Sequence, residues 1–263
     1  MNENIRISTT RDKMKATGTA VFLVWLFYFS ASFLDLDIPK FISRLGNAAA
    51  VLQRLMTVDF QDLLAILDGT LSSVCLAVSA LAIGFAVSMI LSFLAAANVT
   101  PSRILSSAIK GGVAVIRAVP ALVWILMVVA SVGFGNTGGM IGLIFPTVGY
   151  LTKSFTASIE DMGYGHIEAM KATGANRPVM ILKALVPELT SPFLSWTAIR
   201  FEGNIAESIS LGMVGVGGVG SMLMKALGKY DYGSITAIIL VIFITLFVVE
   251  LLVNQLKRGI RRT

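Results

Sequence analysis

Three charged residues and an asparagine stand in the largely apolar stretch AIRFEGNIAESISLG, residues 198–212, and are the first candidates for chemistry. At 100° per residue, Asn204 and Glu207 each fall within about 40° of Arg200, and the three form a stripe roughly 10 Å long. Glu202 lies about 160° from Arg200 on the same helical wheel. The planar fork of an arginine suits an oxyanion, and the neighbouring acids favour weak binding over a tight site.

Two interpretations of these residues remain open. Ionisable side chains near the centre of a bilayer cost about 2.5–3.5 kcal/mol each, so they persist where they face a cavity or a partner. In one interpretation, Arg200 and Glu207 form an internal ion pair that locks helices or a dimer interface. In the other, Arg200, Glu202, Asn204 and Glu207 line a polar path across the membrane.

The composition places these residues in a membrane protein. Hydrophobic residues make up 56% of the 263 positions and charged residues only 14%, against about 25% charged in soluble domains. Runs without any charge cover residues 17–34, 69–102, 118–152 and 232–249, and a helix needs about 20 apolar residues to cross a bilayer. We therefore predict an all-α membrane protein with several spans.

The apolar runs predict six transmembrane helices. The first run exceeds the usual length of a signal-peptide core and is interpreted as a retained span. The run 118–152 is too long for one helix, and it breaks at the glycine-rich sequence GFGNTGG, residues 133–139. The predicted spans cover about residues 17–34, 70–97, 112–133, 138–157, 190–213 and 234–254.

The distribution of basic residues predicts that both termini are cytoplasmic. With the N-terminus inside, 15 of the 21 lysines and arginines lie on the inner side and five on the outer side, while Arg200 lies within a span. Residues 35–68 are then external, and the pattern of 41–56 predicts an amphipathic helix on the outer surface. The basic character of the chain is explained by this orientation, so a nucleic-acid partner is not expected.

The segment 159–187 is polar and lies on the predicted inner side, between the fourth and fifth spans. Gly174 can adopt a positive φ and end one helix, Asn176 can cap the next, and Pro178 fits its first turn. Pro187 is expected to close this second helix. Two short helices around a glycine corner are either an ordinary structured loop or a docking element for a cytoplasmic partner.

The same segment resembles the EAA signature of ABC-importer permeases, which runs Glu-Ala-Ala, three residues, Gly, nine residues, a hydrophobe, one residue and Leu-Pro. This chain has Glu168-Ala169-Met170, Gly174 and Pro187 at that spacing and departs at apolar positions such as Met170. Three stretches, IRAVPALVWILMVVASVG, EAMKATGANRPVMILKALVPE and IRFEGNIAESISLGMVGVGGVG, are similar to the phosphonate-importer permease family. The resemblance covers about residues 65–257.

This resemblance implies the ABC type I importer permease fold of the methionine-importer class in a bacterial inner membrane. It implies a second permease copy, two cytoplasmic ATPase subunits that bind ATP and magnesium, and an external substrate-binding protein. The chain itself then needs no cofactor or metal and is not an enzyme. The implied contacts with the ATPase come from Glu168, Ala169, Lys171, Thr173, Gly174, Ala175 and Arg177.

The substrate implied by the resemblance is a phosphonate or a related phosphorus oxyanion, such as phosphite or phosphate. An ABC importer for another small organic solute, such as an amino acid, and a secondary ion-coupled transporter remain alternatives. The sequence GVGGVG predicts a sharp turn with close helix packing at an external gate, formed by Gly215, Gly217, Gly218 and Gly220. No acid follows it about 20 residues on, which disfavours a dinucleotide site.

We predict three regions along the chain. Residues 1–68 hold the cytoplasmic N-terminal segment, the first span and the external amphipathic segment. Residues 69–257 form the permease domain with the cytoplasmic coupling loop 159–187, and residues 258–263 form a basic cytoplasmic tail. With one cysteine and one histidine in the sequence, no cysteine or multi-histidine metal site is expected.

Overall fold

A computed structural model describes residues 10–34, 37–163, 165, 168, 172, 174 and 176–260. Within these ranges the regular elements are helices and no strand occurs, which confirms the all-α prediction. The chain divides into two compact units, Met1–Arg54 and Leu55–Thr263.

The first unit contains a long apolar helix, α1 (Thr10–Phe33). Phe22, Trp25, Phe29 and Phe33 recur every three or four residues and form a ladder of rings with centroids 5.6–6.3 Å apart. The large apolar side chains of α1 are exposed, as expected for a helix that meets lipid. The first predicted span therefore corresponds to a helix long and apolar enough to cross a bilayer.

The predicted amphipathic segment forms two helices instead of one. Helix α2 (Ile38–Ser43) begins at Asp37, whose carboxylate accepts a hydrogen bond from Lys40 N at 2.9 Å, and α3 (Leu45–Leu55) follows a break at Arg44. A single helix over 41–56 was the wrong prediction. Gly46, the second residue of α3, is a poor helix former and does not favour a continuous helix across the break.

The second unit contains the remaining helices. Helices α4 (Leu63–Ala95), α5 (Arg103–Ala118), α6 (Ala121–Val132) and α7 (Asn136–Asp161) precede the polar segment. Helix α8 (Arg177–Met180), a π-helical turn (Ile181–Leu185), α9 (Val186–Met213), α10 (Gly218–Lys229) and α11 (Tyr232–Ile260) follow it.

The predicted count of six spans is not confirmed. Among the described residues, three helices are long and apolar enough to cross a membrane, and five spans result if each of two bent helix pairs counts as one. Helix α7, which contains the predicted fourth span, is not among them, because glycines, serines and threonines dilute its apolar character.

The predicted third span, 112–133, is not a straight helix. Helices α5 and α6 meet at an angle of 88° at Val119 and Pro120. Val119 is extended, with ψ of 126°, as expected for a residue that precedes proline. The glycine-rich break is confirmed, since α6 ends at Val132 and both Gly133 and Gly135 have positive φ.

Pro187 does not end a helix, contrary to the sequence prediction. Helix α8, the π-helical turn and α9 follow one another without a break, and Pro187 lies in the first turn of α9. A proline inside a regular α-helix clashes with the carbonyl of residue i−4 and leaves it unbonded. The wider turn Ile181–Leu185 ends two residues before Pro187 and allows the helix to continue.

Helix α7 forms the centre of this unit and packs against α4, α5, α6 and α9. Glycines permit the close approaches. A Cβ atom at Gly84 of α4 would collide with Thr147 of α7, and one at Gly142 would lie 2.8 Å from the Cα atom of Ile125. Small residues at helix crossings are typical of membrane helix packing.

Candidate transport path and coupling elbow

Helix α9 presents the predicted polar stripe to the interior of the second unit. Arg200 and Glu207 form a bidentate ion pair, with Nη1–Oε1 and Nη2–Oε2 distances of 3.1 and 2.7 Å. Arg200 is buried, whereas the side chain of Glu207 remains 28% exposed. The Arg200 end of the ion pair is therefore enclosed by protein, and the Glu207 end is partly accessible.

A buried hydrogen-bond network continues from the ion pair to two other helices. Arg200 Nε donates to Thr147 Oγ1 at 3.3 Å, and Thr147 Oγ1 lies 2.7 Å from Leu143 O and 3.0 Å from Asn204 Oδ1. Asn204, with no exposed surface, donates through Nδ2 to Ala77 O at 3.4 Å. The network thus joins α4, α7 and α9 and satisfies their buried polar atoms.

The guanidinium of Arg200 is surrounded by protein groups. Its Cζ atom lies 5.9 Å from the centre of the Tyr150 ring, within cation–π range. Three of the five N–H groups that an arginine carries are committed to Glu207 and Thr147. In this conformation the arginine fork is therefore not free to bind an external oxyanion, and the internal ion pair of the first interpretation is present.

Glu202 does not join the stripe. It is half-buried on another face of α9, and within the part of the chain that the structure describes it makes no hydrogen bond or ion pair. The helical spacing of the four residues is thus as predicted. The assignment of Glu202 to the same path as Arg200 rests on the sequence alone.

The polar segment around Gly174, hereafter the elbow, has the predicted corner. Glu168 is helical and exposed, and Gly174 lies in an exposed turn with φ of +78°. Asn176 Oδ1 accepts a hydrogen bond from Val179 N at 3.1 Å, which caps α8 at Arg177. The other predicted coupling residues, Ala169, Lys171, Thr173 and Ala175, lie outside the described residues.

The last turn of α7, which forms the base of the elbow, is hydrogen-bonded to the α4–α5 loop. The sequence analysis did not predict this contact. Asn98 Nδ2 donates to Ile159 O at 2.7 Å, and Ala97 N donates to Glu160 Oε1 at 2.7 Å. Buried apolar residues on both sides of the elbow, including Ile159 and Met180, share one core cluster. The only signal in the sequence was an amide, Asn98, at the end of an apolar run.

Glu160 also forms an ion pair with Lys110 of α5, with Nζ and Oε1 2.6 Å apart. Partial burial raises the pKa of Glu160, but the hydrogen bonds from Ala97 N and Lys110 and the charges of Lys110 and Lys153 outweigh it, so the net pKa lies below its ordinary value. The carboxylate is therefore held in its charged form.

The lowered pKa of Glu160 predicts a pH-dependent contribution to stability. Because the folded-state pKa is depressed, the contribution is fully present above the ordinary value of 4.5 and is lost as the pH falls through the folded-state pKa. We expect Glu160→Gln to lower the thermal midpoint at neutral pH and to have little effect at strongly acidic pH. A pH series of thermal unfolding in detergent tests this, and an equal difference at all pH values would contradict it.

The glycine-rich turn after α9 also has the predicted geometry. Gly215, Gly217 and Gly218 have φ of +97°, +114° and +69°. Gly220 lies in α10, where its backbone touches α9 at Ile209. Such contact is possible only without side chains between the helices. A tight turn and close packing are thus present, while a role in gating remains a prediction.

These features define a helical membrane protein with two bent helix pairs and a buried charge network that joins α4, α7 and α9. The chain belongs to the family of binding-protein-dependent transport system inner membrane components, whose sequence model matches residues 88–262. It is thus a multi-pass membrane protein and a transporter subunit.

Three comparisons illustrate the relationship. The phosphite transport system permease protein PtxC of Stutzerimonas stutzeri is 29% identical over 85% of this chain and 81% of its own length. The phosphate-import permease protein PhnE of Mycolicibacterium smegmatis is 27% identical over 96% of this chain, which spans about half (48%) of that protein. An inward-facing structure of the MetNI methionine ABC transporter superposes with a TM-score of 0.66 over 77% of this chain and 99% of that chain, at 16% identity. The last comparison shows the fold alone and confirms the methionine-importer type.

Proposed function

We propose that this chain is the permease of an ATP-driven importer for a phosphonate or a related phosphorus oxyanion, such as phosphite or phosphate. The observation that carries the substrate class is the match to the phosphite permease over 85% of this chain. Methionine-importer permeases share the fold, but the solved example is only 16% identical, so it does not favour an amino acid.

The partners follow from the family. Two ATPase subunits on the cytoplasmic side bind ATP and magnesium, a substrate-binding protein docks outside, and a second copy of this chain completes the membrane domain. Both termini lie in the cytoplasm of a bacterial cell, as the lysine and arginine distribution predicts. The chain itself carries no catalytic residue and no cofactor, because ATP is hydrolysed in the partner subunits.

The elbow transmits movement from the ATPase to the membrane helices. Glu168 and the exposed turn at Gly174 form its tip, and the hydrogen bonds of Asn98 and Glu160 hold its base against the α4–α5 loop. A tip fixed to a packed base moves as one body, whereas a loosely tethered loop absorbs displacement. Closing of the ATPase subunits then turns the permease dimer between inward-facing and outward-facing states.

The buried network on α9 lies along the transport path in this proposal. The exposed end of Glu207 faces the path, and Arg200 becomes available to the substrate oxyanion when the ion pair loosens during the transition. Glu202 and Asn204 complete the polar lining, while the turn at Gly215, Gly217, Gly218 and Gly220 forms the outer gate. Weak interactions suit this role because a path must release what it binds.

Uptake by proteoliposomes that contain the chain, its ATPase subunits and its binding protein tests the proposal. We expect ATP-dependent accumulation of radiolabelled methylphosphonate that unlabelled phosphite or phosphate inhibits and methionine does not. Uptake driven by an ion gradient without ATP would favour a secondary transporter, and uptake of methionine would favour an amino-acid importer. Either outcome would contradict the proposal.

The docking role of the elbow predicts that Gly174→Asp uncouples transport. The variant places a charge on the tip and strains a backbone with φ of +78°. We expect uptake to fall by at least about tenfold, which corresponds to a rise of about 1.4 kcal/mol in its apparent activation free energy, with normal membrane insertion and weaker ATPase co-purification. Glu168→Arg should act similarly.

Gly163→Asp is the matched control for Gly174→Asp. Gly163 also has a positive φ, of +71°, and an added Cβ atom at either glycine meets no atom within 4 Å. It lies outside the EAA-like residues, so the same strain and charge should leave ATPase co-purification intact. If both variants bind the ATPase like the wild type, the docking role is wrong.

A further inference from the structure

A cavity of about 160 Å³ lies between α5 and the last turns of α7, away from the Arg200 network. Its charged wall residues are Lys110, Arg117, Lys153 and Glu160. The volume is well above the roughly 10–15 Å³ that admits a single water. The cavity is open on one side, and all three cations have exposed side chains. It can therefore receive a ligand of several heavy atoms from outside the protein.

The charge of this wall is not balanced. Glu160 is paired with Lys110 at 2.6 Å, and Lys153 acts on Glu160 only through its charge. Within the described ranges, neither Arg117 nor Lys153 forms an ion pair. With three cations and one acid, the wall carries two uncompensated positive charges at neutral pH. Such a wall attracts anions, and the fork of Arg117 suits a tetrahedral oxyanion.

Two buried hydroxyl groups supply an independent observation. Thr152 and Thr156 of α7 line the same cavity and are only 1% and 5% exposed. The hydroxyl oxygen of each has no hydrogen-bond partner among the described residues. A buried polar atom without a partner destabilises a folded protein, so each such atom requires a ligand or another explanation.

We infer that this basic cavity binds a phosphorus oxyanion, with Arg117 and Lys153 as the charged ligands and Thr152 and Thr156 as hydroxyl donors. A phosphate-type dianion matches the two uncompensated charges and accepts several hydrogen bonds at once. The anion is either a free oxyanion or the headgroup of an acidic phospholipid. The first source rests on the proposed function, as a site for the transported solute near its inner exit; the second source is independent of it.

Binding to the full-length chain in nanodiscs tests the inference. Radiolabelled inorganic phosphate is titrated into nanodiscs of phosphatidylcholine, which tests the free anion. In a second arm, nanodiscs contain a mixture of phosphatidylcholine and phosphatidic acid, and the lipid that remains bound after detergent extraction is measured by native mass spectrometry. We expect saturable binding in at least one of the two arms.

The test variant is Arg117→Gln combined with Lys153→Gln, and its matched control is Lys13→Gln combined with Lys15→Gln. Both double variants remove two positive charges. The control residues are exposed positions of α1, on the same predicted side of the membrane as Arg117 and Lys153. We expect the test variant to bind the ligand at least about tenfold more weakly and the control to bind it normally, because charge-assisted hydrogen bonds are lost only in the former.

Thr152→Val provides a second variant that does not depend on the charges. Valine replaces an unpartnered hydroxyl with a methyl group, so the ligand-free protein should unfold at a higher temperature while its affinity falls by a few fold. If the charge variant does not insert, this variant decides the question.

Unchanged affinity in both the charge variant and Thr152→Val, or an equal loss in the charge variant and its control, would overturn the inference. Failure of the proposed function would look different, because methylphosphonate uptake would then be absent while anion binding to the cavity persisted.

Discussion

Gly220→Ala is expected to prevent the stable folding of the second unit. A Cβ atom at this position would collide with the backbone carbonyl oxygen of Ile209 and lie 2.9 and 3.0 Å from Ile209 C and Gly212 Cα. These are backbone atoms, so no side-chain rotation can relieve the contact, and α10 would have to move away from α9. Overpacking of this kind costs about 1–3 kcal/mol and sometimes more.

Displacement of α10 would also open the turn at Gly215, Gly217 and Gly218. We therefore expect uptake to fall by at least about tenfold, together with a lower thermal midpoint or a loss of folded protein. Fluorescence-detected size exclusion of the detergent-solubilised protein measures the folded fraction, and proteoliposome uptake measures transport.

Gly228→Ala is the control on the same helix. An added Cβ atom at Gly228 meets no atom within 4 Å, and Gly228 lies in the last turn of α10. Alanine favours the helix by up to about 1 kcal/mol over glycine, so this variant should be neutral or slightly more stable. If the two alanine variants behave alike, the close contact of α9 and α10 is not what determines the stability.

Removal of either partner of the Arg200–Glu207 pair is expected to have the second large effect. Glu207→Met leaves Arg200, a residue that is only 8% exposed, without its counter-ion. Breaking a fully buried pair costs about 3–5 kcal/mol. Because Glu207 is 28% exposed, we expect a value at or below the lower end of this range. Arg200→Met should destabilise the protein less, since the remaining carboxylate can reach water.

The double variant Arg200→Met, Glu207→Met separates structure from transport. Replacing both charges with apolar side chains of similar volume is often neutral for stability, so the folded fraction should recover. We expect uptake to stay at least about tenfold below wild type, because the substrate would meet no donor in the path. Uptake at the wild-type level in this variant would show that the ion pair only locks the helices.

Arg200→Lys is the conservative variant of this set. It keeps the charge but loses the planar fork that binds both carboxylate oxygens. We expect folding close to wild type and a partial loss of uptake. Thermal unfolding and uptake of all four variants complete the double-mutant comparison.

Local signals in the sequence were sufficient to predict the features that depend only on residues close together in the chain. The helical spacing of Arg200, Asn204 and Glu207 predicted which side chains share a face. The positive φ of Gly174 and the cap at Asn176 follow from the conformational freedom of glycine and the short side chain of asparagine. These predictions do not depend on how the helices pack, and the structure agrees with them.

Features that depend on distant residues were not predictable in this way. Thr147 and Ala77 complete the Arg200 network, but nothing in a single sequence pairs them with α9. The two prolines Pro120 and Pro187 also differ in their effect. The chain bends by 88° at Pro120, whereas the helix continues through Pro187. The difference is the π-helical turn before Pro187, whose last residue, Leu185, is buried in the core.

The π-helical turn Ile181–Leu185 has a mechanical consequence, because it holds more residues per turn than a regular α-helix. If the turn rewound into regular α-helix by one residue, every side chain beyond it would rotate by about 100° and advance by about 1.5 Å along the axis. Arg200 and Glu207 would then face a different neighbour. Rewinding at the N-terminal end of α9 would thus change which of its side chains face the neighbouring helices.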